Sequence, residues 1–430
     1  MSSVRIQPSG ELEPRLVASD SPERHIAFLS TYPPKRCGLA TFTKNLSSSL
    51  AEVGHSIEVL AITNGGEDND HGCEVSFLME RDNPRAYVEA ARYLNESDVD
   101  LVILEHEFGI FGGPSGNMVL KLVDNLDKPL VTTLHTVLPD PPDLIKGIVG
   151  ALTSRSERLV AMSRSAVKLL EHHYGIPRER LVLIPHGCPD ISLIDEESSK
   201  DQIGLAGRTV VSTFGLLGPG KGLEYAIRAL PKLIADRPEV TYLIIGATHP
   251  NEKKANGEQY REGLKAIVRD LQLERNVNFV DRYLTERELI RFLSATDIYV
   301  TPYLNGGQVV SGTLTYALGA GKAIVSTPFL YALELLAEGR GLLCHFRDST
   351  SLSEALRRLA ADGELRRCLS MRAYKYGRNL TWSRVASAYA DLVSEISPRH
   401  DRLLPPMKEA PQLAFGGRAL RSLESETEVN

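Results

Sequence analysis

The chain has 430 residues, too many for one hydrophobic core, since cores stop growing near ~250 residues, so about two domains are expected. Its 49 Lys and Arg are interleaved with 55 Asp and Glu for a formal charge of -6, which argues against a nucleic-acid partner. The five cysteines (Cys37, Cys73, Cys188, Cys344, Cys368) are scattered and form no C-x-x-C pair, which excludes a disulfide framework or structural zinc site as the organising principle; no apolar run approaches the ~20 residues of a membrane span, and the polar N-terminus lacks a signal-peptide core. A cytoplasmic protein is expected, and peripheral membrane contact is compatible with that reading.

Residues 1–24 lack periodicity and read as a tail. From His25 the pattern is a strand (IAFLS), a Gly and Pro loop (YPPKRCGLAT), an amphipathic helix and a strand (SIEVLAI), followed by the strands VDLVILEHE, PLVTTLHT, RLVAMS and RLVLIPHG. This is an α/β unit over 25–191. A polar stretch over 192–204 reads as a linker. A second unit over 205–380 repeats the opening layout with TVVSTFG, LLGPGKG, LEYAIRALPKLIADR and VTYLIIG, and continues through VNFVDRY, DIYVTPY and AIVSTP. A helix over 381–397 contains Trp382, and 398–430 reads as a second tail. Alternating strands and helices predict two parallel sheets, whose ligands sit beyond the carboxyl ends of the strands.

The segment FGLLGPGKG, Phe214 to Gly222, follows a strand and opens a helix. Glycines such as Gly215 let backbone N–H groups approach an anion, the helix start adds partial positive charge, and Lys221 can neutralise a phosphate, so a diphosphate is the natural guest. The same stretch satisfies G-x-x-x-x-G-K, but residue 222 is Gly where a magnesium-binding Ser or Thr would stand, which counts against a P-loop NTPase. In the first unit Glu105, His106 and Glu107 end a strand and lead into the glycine-laden FGIFGGPSG, a loop suited to closing over an acceptor whose hydroxyls those residues would bind. The pair His172-His173 lies on a polar helix face with no carboxylate at ligand spacing, and no D-x-D occurs in a plausible loop, so no metal is expected.

The order of these motifs resembles the retaining GT-B glycosyltransferases, in particular glycosyltransferase family 4. CGLATFTKNLSSSLAEVGHSIEVL is similar to the family's Gly-rich loop and G-H-x-V-x-V strand entry, with Gly38 in the loop; Leu134-His135 resembles its T-x-H strand end; AMSRSAVKLLEHHYGIPRERLVLIPHGCPD resembles its G-I-P…P-N-G-V-D element; and LTWSRVASAYADLVSEI resembles the helix that crosses back to the first domain. The resemblance spans about residues 25–396. It implies two facing Rossmann-like domains with a cleft between them, the acceptor on the first and a nucleotide-sugar on the second, with His135 near the donor sugar.

The departures are specific. The family's Arg after G is Leu216 here, while Lys221 is retained, and the E-x7-E motif falls on Gln308 and Tyr316 in NGGQVVSGTLTYALGAGK. Ser311, Gly312 and Thr313 could still offer hydroxyls and backbone N–H groups to a diphosphate, and Gln308 could hydrogen-bond sugar hydroxyls; Tyr316 is placed with them. Arg282 and Glu334 are candidate substitutes for phosphate and ribose contacts. The expected reaction is metal-independent hexosyl transfer from a nucleotide-diphosphate sugar, a substrate and not a cofactor, to a small-molecule, glycan or lipid-linked acceptor hydroxyl with retention, His135, Lys221 and Gln308 being the catalytic candidates. A nucleotide-independent glycoside phosphorylase and a non-catalytic sugar-nucleotide-binding protein are the alternatives.

Overall fold

Short β-branched strands, most of them followed by a helix, assemble into two all-parallel sheets in the computed structural model, which describes residues 23–65, 71–193 and 196–396. The first sheet holds β1 (His25–Ser30), β2 (Ser56–Thr63), β3 (Val75–Glu80), β4 (Leu101–His106), β5 (Leu130–Leu134), β6 (Arg158–Ala161) and β7 (Leu181–Leu183), in the order β3-β2-β1-β4-β5-β6-β7. The second holds β8 (Thr209–Phe214), β9 (Val240–Ile245), β10 (Val277–Val280), β11 (Ile298–Thr301), β12 (Ala323–Ser326) and β13 (Leu342–Leu343), in the order β10-β9-β8-β11-β12-β13. Two Rossmann-like domains result. Central strands β4 and β5 are buried at every residue, as expected where helices cover both faces.

Each sheet has one point where the winding reverses, between β1 and β4 in the first and between β8 and β11 in the second. Loops leaving neighbouring strands there run to opposite faces and open a crevice at the carboxyl ends. These two switch points position everything that follows.

The sheets are tied together where the chain crosses between them. Cys188 N–H donates to Leu380 O at 2.7 Å and Trp382 N–H to Cys188 O at 2.9 Å, so the outgoing and returning segments run side by side. The returning helix, Trp382–Ser394, lies on the first helix, Gly38–Glu52: the Trp382 and Phe42 rings are 5.2 Å apart, and the Tyr389 hydroxyl is 2.8 Å from Thr133 Oγ1.

The stretch expected as a plain linker contains a docked helix, Glu196–Asp201. Lys200 reaches Asp297 Oδ2 at 3.0 Å with both side chains buried, and Asp297 also accepts the Val210 N–H at 2.6 Å, so the buried charges are paired and hydrogen-bonded. Of the two expected tails, 398–430 and all but the last two residues of 1–24 lie outside the described residues.

Candidate functional site between the switch points

Strand alternation decides which polar residues of β4 meet which face. Glu105 and His106 are both fully buried at the end of the strand but point opposite ways. Glu105 Oε2 meets His135 Nε2 at 2.7 Å, and the His135 ring stands edge-on to Phe42 at 4.7 Å. His106 instead packs between Phe108 and Phe111, with centroids 4.8 and 5.7 Å away. Neither of its ring nitrogens has a hydrogen-bond partner among the described residues, and burial pushes its pKa down to about 3, so it is a neutral packing group. Glu107, half-buried, accepts the Thr136 hydroxyl at 2.5 Å.

On the other side of this switch point the first helix starts one residue after Cys37, whose Sγ accepts the Ala40 N–H at 3.3 Å. Gly38 opens that helix, and a Cβ there would meet no atom within 4 Å, so space lies beside it.

The second switch point is built by glycines and one helix end. Gly215 has φ 128°, and at Gly222 (φ 63°) a Cβ would lie 2.2 Å from Pro302 O, so β8 can turn into its helix beside β11 only with glycine there. Lys221 is held with its ammonium 4.1 Å from the Tyr303 ring centroid, a cation–π contact. The Tyr303 hydroxyl is 2.7 Å from Thr313 Oγ1, and Ser311 caps the helix Gly312–Gly319 by accepting the Leu314 N–H at 3.3 Å. As the first residues of the helix, Gly312 and Thr313 have no intrahelical acceptor for their N–H groups, and the dipole makes this end positive.

His186 closes the space between the switch points. It follows β7, and Nδ1 lies 2.7 Å from Gly187 O; because a carbonyl only accepts, Nδ1 carries the proton and Nε2 the lone pair. The ring neighbours Phe42 at 5.1 Å, Trp382 at 5.6 Å and Tyr316 at 6.3 Å, and Nε2 is 2.7 Å from where a Cβ on Gly312 would stand. Burial pushes its pKa down to about 4.

Two family models divide the chain between them: Glycosyltransferase Family 4 matches residues 37–190, and Glycosyl transferases group 1 matches 195–376. The chain belongs to the family 4 glycosyltransferases of GT-B fold. It is 24% identical over 374 residues to the phosphatidyl-myo-inositol mannosyltransferase of Mycolicibacterium smegmatis, covering 84% of this chain and 90% of that one. The D-inositol 3-phosphate glycosyltransferase of Corynebacterium efficiens is 25% identical over 286 residues, 62% of this chain and 66% of that one. Among solved structures, the sucrose-phosphate synthase of Thermosynechococcus elongatus superposes with a TM-score of 0.73 at 17% identity, covering 87% of this chain and 99% of that one. Anabaena HepE in complex with UDP superposes with 0.69 at 18% identity, covering 86% and 100%.

In this glycosyltransferase the structure gathers Gly215, Lys221, Ser311, Gly312 and Thr313 around one helix end and brings His135 to the facing switch point. It redirects the other sequence candidates. Glu105 has no exposed surface and binds His135, so it is not placed to bind an acceptor, and His106 is sealed behind Phe108 and Phe111. Arg282 is exposed and tied to Glu288 Oε1 at 2.6 Å, a pair set by the capping box of the helix Glu286–Ser294. Glu334 accepts the N–H groups of Arg164 at 3.0 Å and Ser165 at 3.1 Å: it seats the helix Arg164–Tyr174 of the first domain on the second and is spent on that. Tyr316 is buried, its hydroxyl accepting from Asn45 at 3.1 Å and donating to Glu286 at 3.3 Å across the two domains. Gln308 donates its amide to Val310 O at 2.8 Å, so it shapes the loop before Ser311.

The glycine-laden loop is not a loose flap either. Phe111 is fully buried, the Tyr87 hydroxyl accepts the Gly112 N–H at 2.9 Å, and Gly113 and Gly116 take positive φ in two tight turns. Sequence reasoning missed His186; its signal is the histidine of PHG, standing where the resembling element has P-N-G. Among the described residues no group of three or more His, Cys, Asp and Glu could hold a metal ion, and no helix is long and apolar enough to cross a membrane.

Proposed function

We propose that this glycosyltransferase moves a hexosyl group from a nucleotide-diphosphate sugar to an acceptor hydroxyl with retention of configuration. The observation that carries the donor assignment is the capped helix end at Gly312 and Thr313 with Lys221 held beside it by Tyr303: open N–H donors, a positive dipole and a cation converge where a leaving diphosphate needs them. The known relatives support the substrate class, being named for mannosyl and glycosyl transfer to phosphatidylinositol and inositol phosphate, and a similar fold binds UDP.

In this reading Lys221 and the helix end stabilise the departing diphosphate, whose oxygen guides the acceptor hydroxyl to the same face of the sugar. His135, oriented by Glu105, contacts the sugar. Positioning and leaving-group stabilisation lower the barrier, without a divalent metal. The acceptor class is a polyol or its lipid-linked form, met by a cytoplasmic protein that touches membranes at most peripherally.

A thermal-shift panel of UDP, GDP, ADP and their sugars tests the donor assignment, since a ligand at 100 times its Kd stabilises by about 2.7 kcal/mol. Transfer is then assayed with inositol-type acceptors, with and without EDTA. Stabilisation by none of the nucleotides would refute the reading, and nucleotide binding without turnover would turn it into that of a non-catalytic sensor.

A further inference from the structure

A diphosphate at the Gly312 helix end needs more compensating charge than one lysine brings. Leucine stands at 216, and Arg282 is held by Glu288. His186 borders the same helix end. Its Nε2 lies 2.7 Å from the point a Gly312 Cβ would occupy, and Nδ1–H is committed to Gly187 O, which makes Nε2 the nitrogen able to accept a proton. We propose that His186 takes up one proton from solvent at Nε2 when the sugar-nucleotide binds and, as an imidazolium, forms with Lys221 the cationic clamp on the diphosphate. This rests on the donor reading above. No covalent bond to the ligand is made or broken.

The surroundings explain why histidine, and not a permanent cation, suits this place. Phe42 from the first helix, Trp382 from the returning helix and Tyr316 from the Gly312 helix box the ring in, and a fixed charge there would bear its desolvation cost whenever the site stood empty. The titratable groups facing it are Tyr316, held neutral by burial, and, beyond Phe42, His135 with its carboxylate Glu105. Burial is the main cause of the low pKa of the ligand-free ring, with His135 adding to it. An arriving diphosphate supplies the missing negative charge and raises that pKa.

The sign of the pH dependence follows. The complex binds a proton that the free protein lacks, so affinity strengthens as pH falls from the pKa of the complex towards about 4, by at most about tenfold per pH unit for one proton, and is level outside that window.

Titration calorimetry of the full chain with UDP-glucose and GDP-mannose, whose diphosphates carry no proton that titrates near neutrality, in buffers of differing ionisation enthalpy between about pH 5.5 and 8 measures the uptake. The expected result is net uptake rising towards one proton at the acid end, with affinity rising alongside. In His186→Gln, both the proton uptake and the pH dependence of binding should be lost. Histidine NMR of the unmodified protein gives the same answer without a variant: one imidazole signal moves to the imidazolium position when the sugar-nucleotide is added. Tight binding with no proton uptake, or uptake that persists in a folded His186→Gln protein, overturns the proposal while leaving the donor site standing. If neither sugar-nucleotide binds at any pH, the donor reading falls and this proposal with it.

Discussion

His135 Nε2 lies 2.7 Å from Glu105 Oε2, a carboxylate with no solvent exposure. The bond fixes the proton of His135 on Nε2 when the ring is neutral and aims the imidazole past Phe42. Truncating Glu105 to Ala leaves a half-buried imidazole without its partner and opens a cavity, so urea denaturation should show a loss of about 1–3 kcal/mol, with Glu105→Gln losing less. A Glu105→Ala protein as stable as its parent would show that the pair does not hold His135 in place.

In the proposed reaction Lys221 serves the leaving group rather than the fold: it is half-buried and contacts the Tyr303 ring, and no ion pair of its ammonium is formed among the described residues. Lys221→Ala should raise the barrier to transfer by about 2.7–4 kcal/mol, as for one lost oxyanion donor, while unfolding is little changed. The check is kcat/KM beside the denaturation curve. An active, folded variant with unaltered kcat/KM removes this residue from the site.

Glu334 should behave in the opposite way. It accepts two N–H groups at the start of the Arg164–Tyr174 helix, so Glu334→Ala should lower stability by about 0.5–2 kcal/mol, the range for a lost helix cap, and leave donor KM unchanged. A raised donor KM with undiminished stability would return Glu334 to the ribose.

Acid should destabilise the protein through His106. Its folded pKa, about 3, is far below the ~6.5 of an unfolded histidine, so the unfolded chain binds the proton first. Stability is therefore intact above about pH 6.5 and falls as pH drops towards 3, by about 1.4 kcal/mol per pH unit. His106→Phe, which can stack with Phe108 and Phe111, should remove the share of that slope due to His106 and leave the share due to His186, whose pKa burial also lowers. Denaturation midpoints of both proteins across pH 4–7 (about the range where the two states differ) compare them directly.

The parallel sheets were legible because their central strands are continuous apolar runs separated by amphipathic helices. Edge strands were not: β3 is partly exposed at alternate residues, and β13 has two residues, too short for any periodicity. The 196–201 helix read as linker because its anchor, Lys200 to Asp297, joins residues far apart in sequence. The glycine turns, Lys221 and the Ser-capped helix of the second domain were readable because each is a local signal. Roles set by long-range partners were not: Glu334 caps a helix 170 residues upstream, and Glu105 is claimed by a histidine just past the end of the neighbouring strand. His186 acquires meaning only beside Gly312, Phe42 and Trp382, which no spacing in the sequence brings together.

That last proximity yields the sharpest substitution. Gly312 is intolerant of a side chain, but the atom a Cβ would strike is His186 Nε2 at 2.7 Å, with Cε1 at 3.0 Å, and the ring is confined by Phe42, Trp382 and its bond to Gly187 O. Gly312→Ala should therefore cost about 1–3 kcal/mol as an overpacking substitution, and Gly312→Val more. Shortening the opposing residue should relieve it: the double variant Gly312→Ala with His186→Ala should be less destabilised than the sum of the two single changes, because the new methyl enters the space the ring leaves. Gln308→Glu serves as the contrast. Gln308 donates its amide to Val310 O at 2.8 Å, and a carboxylate there sets two acceptors against each other, so restoring the acidic residue of the family motif should loosen the loop ahead of Ser311 and weaken sugar-nucleotide binding. Denaturation of the Gly312 and His186 single and double variants, with calorimetric titration of Gln308→Glu, measures both effects. Strict additivity in the cycle would mean that His186 yields to a methyl at Gly312 and that another contact makes glycine necessary there.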